Sequence, residues 1–366
     1  MEKRPCISVG QIFSMLFVSR MVITMTYGTL LIGDSDIWDH LISAILSLSI
    51  TFLLILPIYK LYILDTKMNI LDNLRDLMGK LGHFFILIYV LYFLIITLHT
   101  LSIFDNFVAN CINPPISVRL LCIFMLFSAC YGAYKGLEAL SRASSFIFIA
   151  TVLALIFMFS SLISSVETIN FRPLVYENYS SVTEGILYMI SQSSCLVALG
   201  ILLPMATGSS RKKFAGIILW NIGVYVSFVL MIILITGTMG EFVSTQLFPV
   251  YTATSIGKFG AFRHLDSLYL GIWMAGIFLK TSLFLLLASE GIKKIWGEKI
   301  RKISILIMSI LLSICVFFIN NFSILKKNSI TVFLITFLIF NIILIPIILI
   351  ILKNKKISKE SKIFEK

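Results

Sequence analysis

Charge is scarce in this sequence. Only 13% of its 366 residues are Asp, Glu, Lys or Arg, against roughly 25% in an ordinary soluble domain. With 58% hydrophobic residues and a mean hydropathy of +1.00, the chain has too little polar surface to face water all round. That excludes a soluble globule and makes the lipid bilayer its solvent. Proline and glycine are sparse too, at 8 and 20 residues, and there is no low-complexity tract, which excludes a disordered chain. Six cysteines are present, but no CxxC and no Cys/His cluster at metal-ligand spacing. No metal and no cofactor is therefore expected. HExxH, GxSxG, a Walker loop and an intramembrane Asp pair are all missing, so no enzymatic activity is expected. A cleavable signal peptide is not expected either: Met1-Glu2-Lys3-Arg4 leads into an apolar stretch without a small-residue cleavage site.

What is abundant is long apolar runs. A helix needs about 20 such residues to cross the hydrocarbon core, and ten segments qualify. They fall near Ile7–Ile32, Ile37–Tyr59, Leu81–Phe104, Ile116–Tyr134, Ala143–Ser165, Gly185–Met205, Phe214–Thr238, Leu268–Ser289, Ile303–Phe322 and Ile330–Leu352. The loops then set the orientation. One side, which includes both termini, holds 22 lysines and arginines and the other holds 6. The excess marks the first side as cytoplasmic. The net charge of +12 is thus a topology signal, and nucleic acid is not an expected partner.

The expected fold is an all-α membrane protein forming a single domain. Ten spans divide into two halves of five, residues 7–165 and 185–352, followed by a basic tail over 353–366. Because five is odd, the second half enters the membrane inverted. Transporter folds built this way place their site at mid-membrane, where the first helix of each half is broken. Those helices are spans one and six here.

The loop count leaves two of the 30 lysines and arginines inside spans. Arg20 is centred in span one and Lys280 in span eight, and no acidic residue lies at the same depth. A charge there costs about 2.5–3.5 kcal/mol even on insertion scales, so such residues usually serve function. Carbonyl ends of broken helices, deprotonation of Lys280, or the carboxylate of a ligand would each compensate them. The plainer alternative is that they snorkel or cap a helix end. Span six carries Ser191-Gln192-Ser193-Ser194 amid apolar residues. Four consecutive polar side chains cover every face of a helix, so an unwound stretch lining a cavity is expected over Ser191–Cys195. Span one has a parallel in Ser19-Arg20 and Thr24 to Gly28, and a break is expected there over Ser19–Ile23. The alternative in both places is hydroxyls bonding back to their own helix carbonyls. In span eight Trp273, Gly276 or Ile277, and Lys280 fall on one face, either to wall a pocket or to pack a neighbouring helix. The long segment Gly240–Arg263 holds Phe242, Leu247, Phe248, Tyr251, Phe259 and Phe262, and is expected to fold over the bundle as a lid.

Two stretches carry a resemblance. One is Tyr131-Gly132-Ala133-Tyr134-Lys135-Gly136-Leu137-Glu138-Ala139-Leu140-Ser141-Arg142-Ala143. The other runs from Phe248-Pro249-Val250 through Leu265-Asp266-Ser267 to Trp273 and Phe278-Leu279-Lys280-Thr281-Ser282. With Gln11, they resemble the B subunits of spore germinant receptors, the endospore germination permease family of the amino acid–polyamine–organocation superfamily. The resemblance implies a LeuT-like fold in the spore inner membrane. It also implies A and C subunits as partners and a small nutrient germinant, such as an amino acid, as ligand. Carried over by position, the ligand site would involve Ser19, Arg20, Ser191, Gln192, Ser193 and Ser194, with Trp273 and Lys280 nearby. From position and resemblance, Lys280 is expected to stand in for the bound sodium of related transporters and to bind carbonyls freed by a break in span one. Other readings are a proton-coupled amino-acid transporter and a purely structural membrane partner.

Overall fold

The computed structural model describes residues 7–27, 37–112, 114, 116–171, 179–259, 262–263, 265–318 and 327–364. Fourteen helices are described: α1 Val9–Tyr27, α2 Ile37–Leu64, α3 Ile70–Met78, α4 Lys80–Phe107, α5 Val118–Lys135, α6 Leu137–Ile163 and α7 Tyr179–Ser191. They continue as α8 Cys195–Leu202, α9 Ser210–Met239, α10 Pro249–Ile256, α11 Asp266–Trp296, α12 Glu298–Val316, α13 Lys327–Ile339 and α14 Ile345–Phe364. Nine stretches among the described residues are long and apolar enough to cross a membrane. The remaining expected span, Ile303–Phe322, coincides with α12, and its residues 319–322 lie outside the described ones. The first turn of α12 carries Glu298, Lys299, Arg301 and Lys302, which lowers its hydropathy, while its apolar part runs on to Val316.

Several helices outrun their apolar segments because charged residues at the interface remain good helix formers. α11 continues two turns past Ser289, and α14 carries the basic tail on as helix to Phe364. Single glycines turn the chain between helices. Gly136 (φ 91°) separates α5 from α6, and Gly297 (φ 95°) separates α11 from α12. Both adopt a conformation that strains any side-chain-bearing residue. After α2 the chain forms α3, started by a capping box in which Asn69 and Asp72 satisfy each other's backbone N–H groups. Ile70, Leu71 and Leu74 of α3 are buried.

Span three packs along span eight (α4 on α11), span two along span seven (α2 on α9), and α1 along α6, α9 and α11. α1 and span six lie mostly inside the protein, whereas α5 and α6 present much of their surface outward. A two-residue parallel pairing ties the start of span one to the end of span six, Ile7–Ser8 against Ala206–Thr207. The described residues of the Gly240–Arg263 segment form short elements, while the side chains of Phe259 and Phe262 lie outside the described ones. A 3-10 turn leads into α10, and a small hairpin pairs Lys258–Phe259 with Phe262–Arg263. Phe248, Val250 and Ala253 bury under it, but Phe242 and Leu247 stay exposed.

Close helix approach depends on small residues. A Cβ on Gly276 would lie 2.2 Å from Val22 Cγ2, and one on Gly132 would lie 2.8 Å from Ser282 Oγ. The second contact joins the two motif stretches. Gly276→Ala should therefore push α11 from α1 and cost about 1–3 kcal/mol of stability. Thermal unfolding of the purified chain will show a lower midpoint, partly restored by Val22→Ala. An unchanged midpoint would contradict this packing.

Outside the bundle core, Lys353 of α14 donates to Asp65 Oδ2 at 3.0 Å and to Asn73 Oδ1 at 2.7 Å. Burial works against the charged form of Asp65. Bonds from the Lys67 backbone N–H, from Lys353 and from the Met68 backbone N–H nonetheless hold its carboxyl below the usual range. Its folded pKa lies below its unfolded value of about 3.9. The stabilisation is thus present above about pH 4 and lost as pH falls through the lower folded value. Acid titration should loosen α14 from the α2–α3 corner, seen as faster amide exchange in α14. Asp65→Asn should remove that pH dependence.

Candidate ligand site at the interrupted sixth span

Span six is broken. α7 ends at Ser191, α8 begins at Cys195, and Gln192–Ser194 between them are not helical. The interruption falls on the polar run, where consecutive polar side chains leave no lipid-compatible helical face. Its hydroxyls and amide are used locally. Ser191 Oγ donates to the Tyr188 carbonyl at 2.6 Å, Ser193 Oγ donates to the Met189 carbonyl at 3.0 Å, and Gln192 Nε2 donates to Ser191 Oγ at 3.2 Å. Ser194 Oγ is buried beside the Cys195 thiol.

Arg20 meets this break from α1. Its Nη2 donates to the Met189 carbonyl at 2.8 Å, and the side chain is only 6% exposed. The guanidinium thus sits at the carbonyl end of α7, where the helix dipole favours a cation. Of the compensations expected for the two buried cations, the carbonyl end of a broken helix is the one that Arg20 meets. The expected break in span one is not present: α1 is unbroken from Val9 to Tyr27. Its hydroxyls take the local route instead, with Thr24 Oγ1 donating to Arg20 O at 3.4 Å and Thr26 Oγ1 to Val22 O at 2.7 Å. Span one has scattered polar positions rather than a continuous run, so its backbone ladder survives. Ser19 Oγ is buried without a partner among the described residues. Tyr27 lies at the end of the described helix, and Gly28 lies outside the described residues.

Lys280 is fully buried, and its Nζ has no hydrogen-bond partner among the described residues. The expected contact to carbonyls of a broken span one is therefore absent, since α1 frees none. Lys280 instead lies within electrostatic reach of Arg20, of Cys195 and of His99 on α4. Cys195, the first residue of α8, feels both Lys280 and Arg20. Next to Lys280, Thr281 Oγ1 is also buried and unpartnered among the described residues. Neither Arg20 nor Lys280 makes an ion pair among the described residues.

Trp273 belongs elsewhere. Two helical turns from Lys280, it donates through Nε1 to Thr26 Oγ1 at 2.6 Å and stacks on Phe104 at 5.8 Å. Tyr269 OH donates to the Met25 carbonyl at 2.9 Å, and Phe107 contacts both rings together with Phe248 and Tyr251 under α10. This aromatic block seals the lid end of the bundle. Trp273 pins span eight to span one there and does not wall a pocket beside Lys280.

At the basic end lies an open cavity of about 900 Å³ between the α2–α3, α5–α6 and α11–α12 connections. Lys294 of α11 pairs with Asp72 of α3, and Arg301 pairs with Glu290 at 3.1 Å. None of the expected site residues lines it. Reasoning from sequence missed Cys195, His99 and Thr281 as neighbours of the two cations. The only signal was the position of Cys195 and Thr281, each adjoining a residue already singled out.

Comparison places the fold. Over 90% of this chain and 79% of the other, the structure matches a Na+-coupled sialic acid symporter in its substrate-bound, outward-open state, with a TM-score of 0.59 and 13% identity. The chain therefore has a LeuT-like transporter fold, nearly all helical and membrane-spanning. Residues 6–324 match the spore germination protein family, and the chain belongs to that family. Comparison with curated proteins gives no match.

Because Arg20 is held by a carbonyl, its removal leaves the Met189 oxygen with Ser193 alone. Arg20→Met should cost about 1–3 kcal/mol, and Arg20→Lys should recover little, since an ammonium lacks the planar fork and reach. Unfolding midpoints of the two variants check this. Wild-type stability in both would show that the contact contributes nothing.

Proposed function

We propose that this chain is the nutrient-sensing B-type membrane subunit of a spore germinant receptor. It binds a small germinant of the amino-acid class at the span-six break and passes the change on to A and C subunits in the spore inner membrane. Both termini then face the cytoplasm, in line with the basic loops. One observation carries the reading. A transporter-like bundle of the spore germination protein family interrupts span six at Gln192–Ser194 directly against the buried cation Arg20. An interrupted helix offers unpaired backbone groups at mid-membrane, which is how transporter folds hold small polar solutes. Ser19, Arg20, Ser191, Gln192, Ser193, Ser194 and Lys280 make up the proposed ligand site, and Trp273 supports it by fixing span eight to span one.

A second reading is a proton-coupled amino-acid transporter. Its support is Lys280, a titratable group fully buried beside the break, and a fold shared with a symporter. Germination and uptake separate the two.

Spores lacking this chain should lose the response to one class of nutrient. Gln192→Ala and Ser194→Ala should raise the half-maximal germinant concentration roughly tenfold, the cost of one polar contact to a charged ligand group. Optical-density loss of spore suspensions reads the response. Purified chain in proteoliposomes should show no accumulation of labelled amino acid. An unaltered nutrient response in deletion spores would overturn the sensing role, and accumulation driven by a proton gradient would favour transport.

A further inference from the structure

We infer that span ten is a regulatory strap on span six: its cytoplasmic half, α14, braces α8 through α3, so that freeing the basic tail loosens the helix that follows the span-six break. The strap does not depend on what the break binds.

Its hinge follows from the sequence. Span ten is α-helical over Lys327–Ile339, widens into a π-turn over Phe340–Leu344 and resumes as α14. Pro346 is the cause. It has no N–H to offer the carbonyl four residues back, at Ile342, and its ring crowds that carbonyl. A single wider turn relieves both. Tyr89 of α4 donates its OH to the Asn341 carbonyl in that turn at 2.7 Å, and both residues are fully buried. Asn341 Nδ2 donates to the Phe337 carbonyl at 2.7 Å. The π-turn rests against α2 and α8. Span ten thus meets α8 within the bundle at the place where its own hydrogen-bond ladder is interrupted.

Below the hinge the tail is fastened to α3. Lys353, only 8% exposed, donates to Asp65 and Asn73, and Lys356 donates to Asp76 Oδ2 at 3.0 Å. Asn73 then carries the contact inward. It is buried, and with Ile70 it walls a crevice of only about 10 Å³ against Leu199, Gly200 and Leu203. A Cβ on Gly200 would lie 3.2 Å from Ile70 Cγ2. With so little free space, movement of α3 is passed directly to α8. That helix, Cys195–Leu202, is buried along its whole length and built of apolar residues. Apolar packing is non-directional, so α8 keeps its place only while its neighbours keep theirs. Lys353 is the lock, because a buried ammonium that leaves its acceptors is left uncompensated. Asp65, by contrast, keeps the backbone N–H groups of Lys67 at 2.9 Å and Met68 at 3.2 Å, so the α2–α3 corner stands without the tail.

The test is hydrogen–deuterium exchange on the full chain in lipid nanodiscs, with no nutrient added. Lys353→Met removes the lock and keeps the apolar stem. Amides of α3 and α14 should exchange roughly tenfold faster, the loss expected for a hydrogen bond to a charged group. The same rise should appear over residues 198–203, at the end of α8. A tail that merely completes the fold would loosen α3 and α14 and leave α8 at the wild-type rate. Ile70→Ala breaks the second link, so α8 should exchange faster while α14 stays as protected as in wild type. Because both changes interrupt one path, the double variant should raise exchange in α8 no further than the larger of the two single changes. Should Lys353→Met fail to fold, Ile70→Ala decides alone. Wild-type exchange of α8 in either folded variant, or additive rises in the double variant, would overturn the strap. With no nutrient present these outcomes leave the sensing role untouched, and normal germination of deletion spores would remove that role while leaving the strap in place.

Discussion

The bond from Arg20 to the Met189 carbonyl is the contact on which the rest of the site depends. Inside a bilayer the backbone of span six can be interrupted only if the freed carbonyls find donors and the exposed charges find dipoles. A guanidinium from span one does both. It terminates α7 and, in the same stroke, justifies its own burial. Removing the interruption would leave Arg20 without an acceptor at this depth, and removing Arg20 would leave the end of α7 under-satisfied. The two features require one another, and they lie on two helices, spans one and six, that are buried inside the bundle.

The bundle around this contact is asymmetric along the membrane normal. At the lid end Trp273, Tyr269, Phe104 and Phe107 form a buried aromatic block beneath α10, hydrogen-bonded to span one through Thr26 and the Met25 carbonyl. At the basic end a wide cavity opens between ion-paired loops. The start of span one is also zipped to the end of span six at that end, so these two elements are coupled mechanically. A ligand that alters the break would be felt at the basic end through this coupling and through the long rod of α11, which carries Lys280 at mid-membrane and Lys294 at its charged end.

Much of this was legible in the residues. Hydropathy located the spans, because apolar length is a direct requirement of the bilayer. The run Ser191–Ser194 announced the break, because four adjacent polar side chains defeat any helical face. Span one misled for the complementary reason: isolated Ser19, Thr24 and Thr26 can each be satisfied by a carbonyl one turn back, so polarity there does not force unwinding. Trp273 misled because sharing a helical face with Lys280 says nothing about depth, and about 10 Å of helix separates them. α3 was hidden from hydropathy by its charges, although Asn69 and Asp72 spell a capping box. The meeting of Lys280 with Cys195 and His99 is a long-range consequence of packing and has no local signature.

Hydrogen–deuterium exchange across the span-six break, with and without the nutrient that germinates spores carrying this chain, tests the central claim most directly. Binding at the interruption predicts slower exchange of the amides from Gln192 to Leu196 on addition of that nutrient, and no such protection in Lys280→Met. Unchanged exchange there, with protection confined to the loops around the basic-end cavity, would contradict the account and move the ligand site out of the membrane.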